Sequence, residues 1–402
     1  MDTVVVGAGQ AGLAASFRLG RAGVDHVVLE RGRVGESWLS QRWDEFRLNT
    51  PNWQNLLPGM DLGGADPHAF PSAAEFVSRL ARYVRANRLP VLTEVRVGSL
   101  QPDGDRGWLV ATDSGYFLCR YVVLAAGWQT RPRFPASALT LPLGIERLHS
   151  GAYRNADQLP EGGVLVVGSG QSGVQIAEDL LASGRTLYLA TSRAGRVPRR
   201  YRGRDVAEWW RDSGYLDQRT EDRPREALPT VAQPQISGAR GGHTVSLQQL
   251  ARDGACLLGR FDGARGSRLH FADDLPSHAR FADEFSARAK AQIDAWIERS
   301  GVSAPAPCAD PADEPAPAAF GLDAPRSLDA SSIGSVIWAT GFGADRSWLA
   351  PSLLERDGLH VLGRSWLRSR KSGMVYGAAE DSAAIVAQIA RSAQPERRSV
   401  AA

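Results

Sequence analysis

Gly162 to Arg193 reads GGVLVVGSGQSGVQIAEDLLASGRTLYLATSR. A short apolar, β-rich run ends in G-x-G-x-x-G and passes straight into a helix-compatible stretch of small and apolar residues. A second apolar run then returns after roughly 30 residues, the length of a β-α-β unit. The same pattern opens the chain at Thr3 to Arg31, TVVVGAGQAGLAASFRLGRAGVDHVVLER. Two copies predict an α/β fold with two Rossmann-like dinucleotide-binding domains. A lone glycine motif would be weak evidence, but here the preceding strand, the following helix and the residue ending the second strand agree in both copies.

The glycines answer a geometric need. The first of each trio, Gly7 and Gly168, allows the tight turn out of the strand. The second, Gly9 and Gly170, lets a pyrophosphate approach the backbone, and the third, Gly12 and Gly173, lets helix and strand pack closely. The pyrophosphate then sits over the free N–H groups and positive dipole end of the helix.

What ends each second strand separates the two ligands. The first ends in Glu30, whose carboxylate accepts hydrogen bonds from ribose hydroxyls and repels a 2′-phosphate. The second ends in Ala190-Thr191-Ser192-Arg193, with Arg199 and Arg200 close behind and no acid at the tip. A hydroxyl and a guanidinium suit a 2′-phosphate. FAD, or NAD, is therefore expected at the first site and NADPH at the second. Arginine is abundant, since of 47 Lys and Arg residues only Lys290 and Lys371 are lysine, so one near any site is partly a matter of composition.

Composition narrows the class. The 402 residues support two to three domains, and 43% hydrophobic with 23% charged residues is ordinary for a soluble globular protein. A net charge of +3 with no basic run interleaved with aromatics does not suggest nucleic-acid binding. No stretch approaches the roughly 18 apolar residues of a membrane span. The first strand begins at Thr3, which leaves no room for a signal peptide, and a cytoplasmic compartment is the simplest expectation. Cys119, Cys256 and Cys308 form no C-x-x-C, which argues against a dithiol-disulfide reductase and against a zinc site; no metal is expected.

Between the motifs, Val34 to Trp53 reads as a long loop beside the first ligand. Ser72 to Asn87 is a helix opened by a Ser72/Glu75 capping box. Val91 to Val97 reads as a strand, and Trp108 to Thr112 with Gly115 to Arg120 as an antiparallel pair. Tyr121 to Gly127 and Val336 to Gly341 are buried strands with small-residue ends. Val206 to Trp210 and Asp283 to Arg299 read as helices, and Val302 to Pro325, rich in proline and alanine, as a surface excursion or linker. Leu359 to Gly363 resumes the first domain, and a last helix is expected from about Asp381 to Ala393. The expected organisation is a discontinuous FAD-binding domain, 1–155 and 329–402, with the NADPH-binding domain, 156–328, inserted in it. The G-Q-S-G of Gly170 to Gly173 is no nucleophile elbow, because Val174 stands where the final glycine should be.

With these residues in place the chain resembles the class B flavin-containing monooxygenases, and most closely the bacterial flavoproteins labelled as potassium-transport flavoproteins. The resemblance covers most of the chain. It rests on the two glycine motifs, their spacing, Ala339-Thr340-Gly341, and the segment Leu143 to Tyr153. That segment matches the family fingerprint F-x-G-x-x-x-H-x-x-x-(Y/F) at His149 and Tyr153, while Leu143 and Ile145 replace the Phe and Gly. Its tyrosine ending is more like the N- and S-oxygenating branch than the Baeyer–Villiger branch. By itself His149 reads as a structural histidine near the domain junction.

The resemblance implies that NADPH reduces FAD and that O2 adds at the flavin C4a position. The oxidised nicotinamide stays bound, and one oxygen passes to a small lipophilic or aromatic molecule by N- or S-oxygenation or hydroxylation. The family's loop asparagine aligns with Pro51, so the neighbouring Asn49 is the catalytic candidate. The cofactor contacts expected are Gly7, Gly9, Gln10, Ala11, Gly12, Glu30, Arg31, Glu36, Ser37, Trp38, Thr50, Val95, Ala126 and Gly127, then Gly168, Ser169, Gly170, Gln171, Ser172, Gly173, Ser192, Arg193 and Arg200, with Thr340 and Gly341. The partners expected are a substrate and O2, with no nucleic acid or membrane, in a monomer or homodimer. Two other readings stay open: an NADPH oxidase or electron-transfer reductase, and a nucleotide-binding redox regulator.

Overall fold

The computed structural model describes residues 1–104, 107–223 and 234–393. Two five-stranded sheets organise them. In the first, Thr3–Val6 lies between His26–Leu29 and Tyr121–Leu124, with Val91–Leu92 and Leu359–Val361 at the edges, and every pairing is parallel. In the second, Gly163–Val167 lies between Leu187–Ala190 and Ile333–Trp338, flanked by Cys256–Leu258 and Glu146–His149, again parallel throughout. The central strand of each sheet is the one that leads into G-x-G-x-x-G. Parallel sheets are covered on both faces, so TVVV and GVLVV are buried at every residue and do not alternate.

Each glycine turn runs into a 12-residue helix, Gln10–Arg21 or Gln171–Ala182. Ala73–Ala86 starts at the expected capping box: Ser72 Oγ accepts from Glu75 N at 3.1 Å, and Ser72 N donates to Glu75 Oε2 at 2.7 Å. Its buried face is Phe76, Val77, Leu80 and Tyr83.

Several expectations need correction. The run from Val91 to Val97 is not one strand: Val91–Leu92 joins the first sheet, and Val97–Asp103 opens a three-stranded antiparallel sheet. Glu94 stands between them at φ 60, a left-handed backbone that breaks the run. The helix expected from Asp283 begins at Leu275, with Pro276 in its first turn, and the last helix begins at Val375. Ile333–Trp338 and Glu146–His149 both belong to the second sheet, so the boundaries drawn at 155/156 and 328/329 do not follow the sheets. A buried apolar strand carries no mark of which sheet it joins.

The chain crosses between the sheets twice, and the crossings pair as antiparallel strands, Arg131–Pro132 with Phe342–Gly343. The proline-rich stretch is anchored, not free. Arg196, 1% exposed, is bridged by Asp283 at 2.8 Å and by Asp313. Asp313 also takes Lys290 Nζ and Ser286 Oγ, each at 2.6 Å.

Candidate dinucleotide sites

The two glycine turns are built alike. Gly7 and Gly168 sit at φ 106 and 104, a conformation that side chains strain. A Cβ on Gly12 would stand 1.9 Å from the Gly7 carbonyl oxygen, and one on Gly173 would stand 1.8 Å from that of Gly168. At Gly9 and Gly170 a Cβ would meet nothing within 4 Å. Each turn is thus closed behind by packing and open in front, where a diphosphate can lie against the helix N-terminus. The small-residue strand ends explain themselves here: a Cβ on Gly7 would stand 2.5 Å from Ala125 O, and one on Gly168 would stand 2.8 Å from Ala339 O.

A cleft of ≈ 330 Å³ runs beside the first turn. Of the expected contacts, Gly7, Gly9, Gln10, Ala11, Glu30, Arg31, Glu36, Ser37, Trp38, Val95, Ala126 and Gly127 line it. Gly12 is buried behind them in the helix. Glu30 Oε2 accepts from Ala8 N at 2.8 Å and its Oε1 accepts from Gly32 N at 3.0 Å, which holds the carboxylate at the strand tip. Trp38 Nε1 donates to Gln10 Oε1 at 3.1 Å. Hydrogen bonding from Arg33 brings the Glu36 carboxyl down to about 2, so it is ionised at the cleft wall.

Sequence reading missed Arg42, Trp128, Ser365 and Gly373, which also line the cleft. They lie on loops without period. Only the proximity of Arg42 to Trp38, which its guanidinium stacks on at 5.2 Å, follows from the chain order.

Asn49 and Thr50 lie outside the lining of this cleft. Asn49 Oδ1 accepts from Gln175 Nε2 and its carbonyl accepts from Arg199 Nη1, each at 2.8 Å, so the loop is fixed to the helix of the second sheet. The Thr50 hydroxyl donates within the loop to Asn55 Oδ1 at 2.6 Å.

At the second turn Ser169 and Ser192 bind each other, Ser192 N donating to Ser169 Oγ at 2.9 Å and Ser169 N to Ser192 Oγ at 3.2 Å. The Gln171 amide meets the backbone of Ile236 with both its nitrogen and its oxygen, and Gln235 Nε2 donates to Ser169 O. Gly170 and Ser172 complete the entry to the helix. Arg193 is exposed and stacks on Phe281 at 4.4 Å. Arg200 donates to the carbonyls of Gly241 and Gly242. Arg199 is buried and paired with Asp205 at 2.7 Å, so it is part of the wall and not an open cation.

The junction between the sheets holds the fingerprint residues. Gly151 N donates to His149 Nδ1 at 3.2 Å, so Nε2 carries the ring proton and donates to Gly341 O at 2.9 Å. Burial lowers the His149 pKa, in keeping with this neutral form. The Thr340 hydroxyl donates to Arg133 O at 2.5 Å. Tyr153, fully buried, donates to Asp179 Oδ2 at 2.6 Å, and burial raises the Asp179 pKa. His149 and Tyr153 are thus structural residues of the junction, with their polar atoms satisfied.

Among the described residues no helix is long and apolar enough to cross a membrane, and no group of His, Cys, Asp and Glu is placed to hold a metal ion.

Comparison with known proteins agrees with this architecture. Over 97% of this chain and 98% of its own length, an uncharacterized CzcO-like oxidoreductase of Geobacillus kaustophilus is 27% identical. A probable indole-3-pyruvate monooxygenase of Arabidopsis thaliana, YUCCA1, is 30% identical over 46% of each chain, so the match spans about half the length of that relative. A flavin-containing monooxygenase from Stenotrophomonas maltophilia shares the fold, with a TM-score of 0.63 at 19% identity over 98% of this chain and 99% of that one. Residues 4–209, just over half of the chain, match the model of one family, and the chain accordingly belongs to the pyridine nucleotide-disulphide oxidoreductases.

Proposed function

We propose that this protein is an FAD- and NADPH-dependent monooxygenase that takes one oxygen atom from O2 to a small lipophilic or aromatic molecule. The observation that carries the reading is the pair of glycine turns, alike in geometry and unlike at the strand tip, where Glu30 meets one and Ser192 the other. The domains are then two Rossmann-like units, one per sheet, the second inserted in the first.

In this reading the cleft between Gly9 and Gly373 holds FAD. The Glu30 carboxylate takes the ribose hydroxyls, and the turn amides face the diphosphate. Ser192 and Arg193 take the 2′-phosphate of NADPH at the second turn, where an acid would repel it. A bound flavin supplies hydride acceptance and the activation of O2. The chain's part is to orient and to exclude water. Arg199 and Gln175 fix the Asn49 loop from two sides, and with Oδ1 taken by Gln175 the Asn49 amide has its N–H2 left to donate. Cys119, Cys256 and Cys308 are unpaired thiols, and burial raises the Cys119 thiol to about 11 and raises that of Cys256 as well, which disfavours their thiolates.

The test is turnover of the purified flavoprotein with NADPH and isotopically labelled O2 across a panel of aryl amines and sulfides. The label entering product supports the reading. NADPH consumption with stoichiometric hydrogen peroxide and no labelled product would move it to an NADPH oxidase.

A further inference from the structure

Two arginine side chains, those of Arg223 and Arg370, gather where the segment 366–370 meets the segment 215–223. Backbone bonds tie the two together, with Thr220 N to Arg368 O at 3.0 Å and Arg370 N to Gln218 O at 2.9 Å. Arg223 and Arg370 both stack on the Trp366 ring, 5.1 and 4.9 Å from its centroid, and Arg370 also stacks on Tyr215 at 4.1 Å. Both guanidiniums donate to a single atom, Gln218 Oε1, at 3.0 and 3.2 Å. Two cations therefore converge on one neutral carbonyl oxygen.

Among the described residues the charge is not met by a paired carboxylate. Arg370 is 8% exposed, and among the described residues no carboxylate forms an ion pair with Arg223, Arg368 or Arg370. Of the neighbouring acids, Asp217 and Glu380 share Lys371 at 2.5 Å each and Glu221 meets Arg219 at 3.4 Å, while Asp222, next to Arg223, is exposed. Asp381 is buried and accepts from the Ser372 hydroxyl at 3.1 Å. Its charge reaches Arg368 only from beyond ion-pair distance. The Nε atom of Arg223 is buried and donates to nothing. Buried cations and buried N–H groups without an acceptor are both costly, and an incoming anion relieves both. Trp366 holds φ 54, a left-handed backbone that a bulky aromatic rarely adopts and that collects at ligand sites.

Ser365 and Gly373, on either side of this segment, line the large cleft. We infer that the arginine cluster is a subsite for the carboxylate of an organic substrate, with Gln218 holding the place of that carboxylate when substrate is away. The role in catalysis rests on the proposed function, since it assumes that the cleft beside it holds the flavin. Carboxylate is favoured over phosphate because the group now received by the two guanidiniums is a planar amide of the same shape, and an arginine fork matches a planar acceptor.

The experiment is a titration of the purified flavoprotein by tryptophan fluorescence with benzoate, benzamide and inorganic phosphate. Benzoate is expected to bind at least about tenfold more tightly than the other two, and Arg223→Gln or Arg370→Gln to weaken benzoate about tenfold while leaving benzamide unchanged. Gln218→Glu retains both arginines and supplies an internal carboxylate, so it is expected to raise the melting temperature and abolish benzoate binding. Equal binding of benzoate and benzamide, phosphate binding as tight as benzoate, or a Gln218→Glu protein that still binds benzoate would each overturn the inference. No turnover is measured, so a protein that transfers no oxygen but passes this titration would sink the proposed function alone.

Discussion

Ser192 stands to Ser169 as Glu30 stands to Ala8. In each copy the residue after the first glycine donates its backbone N–H to a side-chain oxygen at the tip of the next strand, at 2.8 Å to Glu30 Oε2 and 3.2 Å to Ser192 Oγ. The bond is the same and the charge differs. Ser192→Glu therefore places the first site's acid in the second. The expected outcome is a rise of about tenfold or more in KM for NADPH with little change for NADH, because the carboxylate faces the 2′-phosphate. Steady-state reduction with both nucleotides checks it, and an unchanged NADPH preference would contradict the placement.

The closed backs of the two turns make selective lesions available. Gly12→Ala and Gly173→Ala each drive a methyl group to within 2 Å of a backbone oxygen that cannot swing away. A cost of roughly 1–3 kcal/mol or more follows from overpacking. Gly12→Ala should purify with little flavin, whereas Gly173→Ala should keep its flavin and lose reduction by NADPH. Visible absorbance and anaerobic reduction separate the two.

Tyr153 and Asp179 form a buried pair whose removal is one-sided. Tyr153→Phe takes away the hydroxyl 2.6 Å from the Asp179 carboxylate and leaves the carboxylate without that donor. Destabilisation of about 1–3 kcal/mol is expected, read by urea denaturation. The Tyr153→Phe/Asp179→Leu double variant should recover part of it.

His149 contributes a pH dependence of definite sign. Burial lowers its pKa in the folded chain below the ordinary 6.5, so the unfolded chain binds the extra proton first. Its contribution to stability is complete above that ordinary value and is lost as the pH falls from there toward the lowered folded value. The melting temperature should drop across this acid window, and His149→Gln should flatten that part of the curve. His26, His278 and His360 are lowered by burial as well and retain their own share of the slope.

Sequence alone carried the two parallel units, their central strands and the part of the first cleft's lining next to the glycine turn. Glycine turns, a preceding apolar strand and a tip residue are local signals, and local signals survive into the fold. The placement of Ile333–Trp338 in the second sheet was not legible, since its pairing with Gly163–Val167 is set by packing across more than 160 residues. Arg199 illustrates the same limit at the site. Its position suggested an open cation, yet Asp205 and the Asn49 carbonyl absorb it. The Trp366 cluster was equally invisible, because it forms between segments that no motif marks.

The paired crossing strands, Arg131–Pro132 and Phe342–Gly343, have a mechanical meaning. They are held by bonds from Thr130 N to Gly343 O and from Arg133 N to Gly341 O, each at 3.0 Å. A single tether would let one lobe swivel freely about the other. A two-ply ribbon resists twisting and shear, and the Asn49 loop, held by Gln175 and Arg199, adds a second tie between the lobes. His149 clasps the same ribbon from the side through Gly341 O, so the register between the two turns is held at three points rather than hung from one strand.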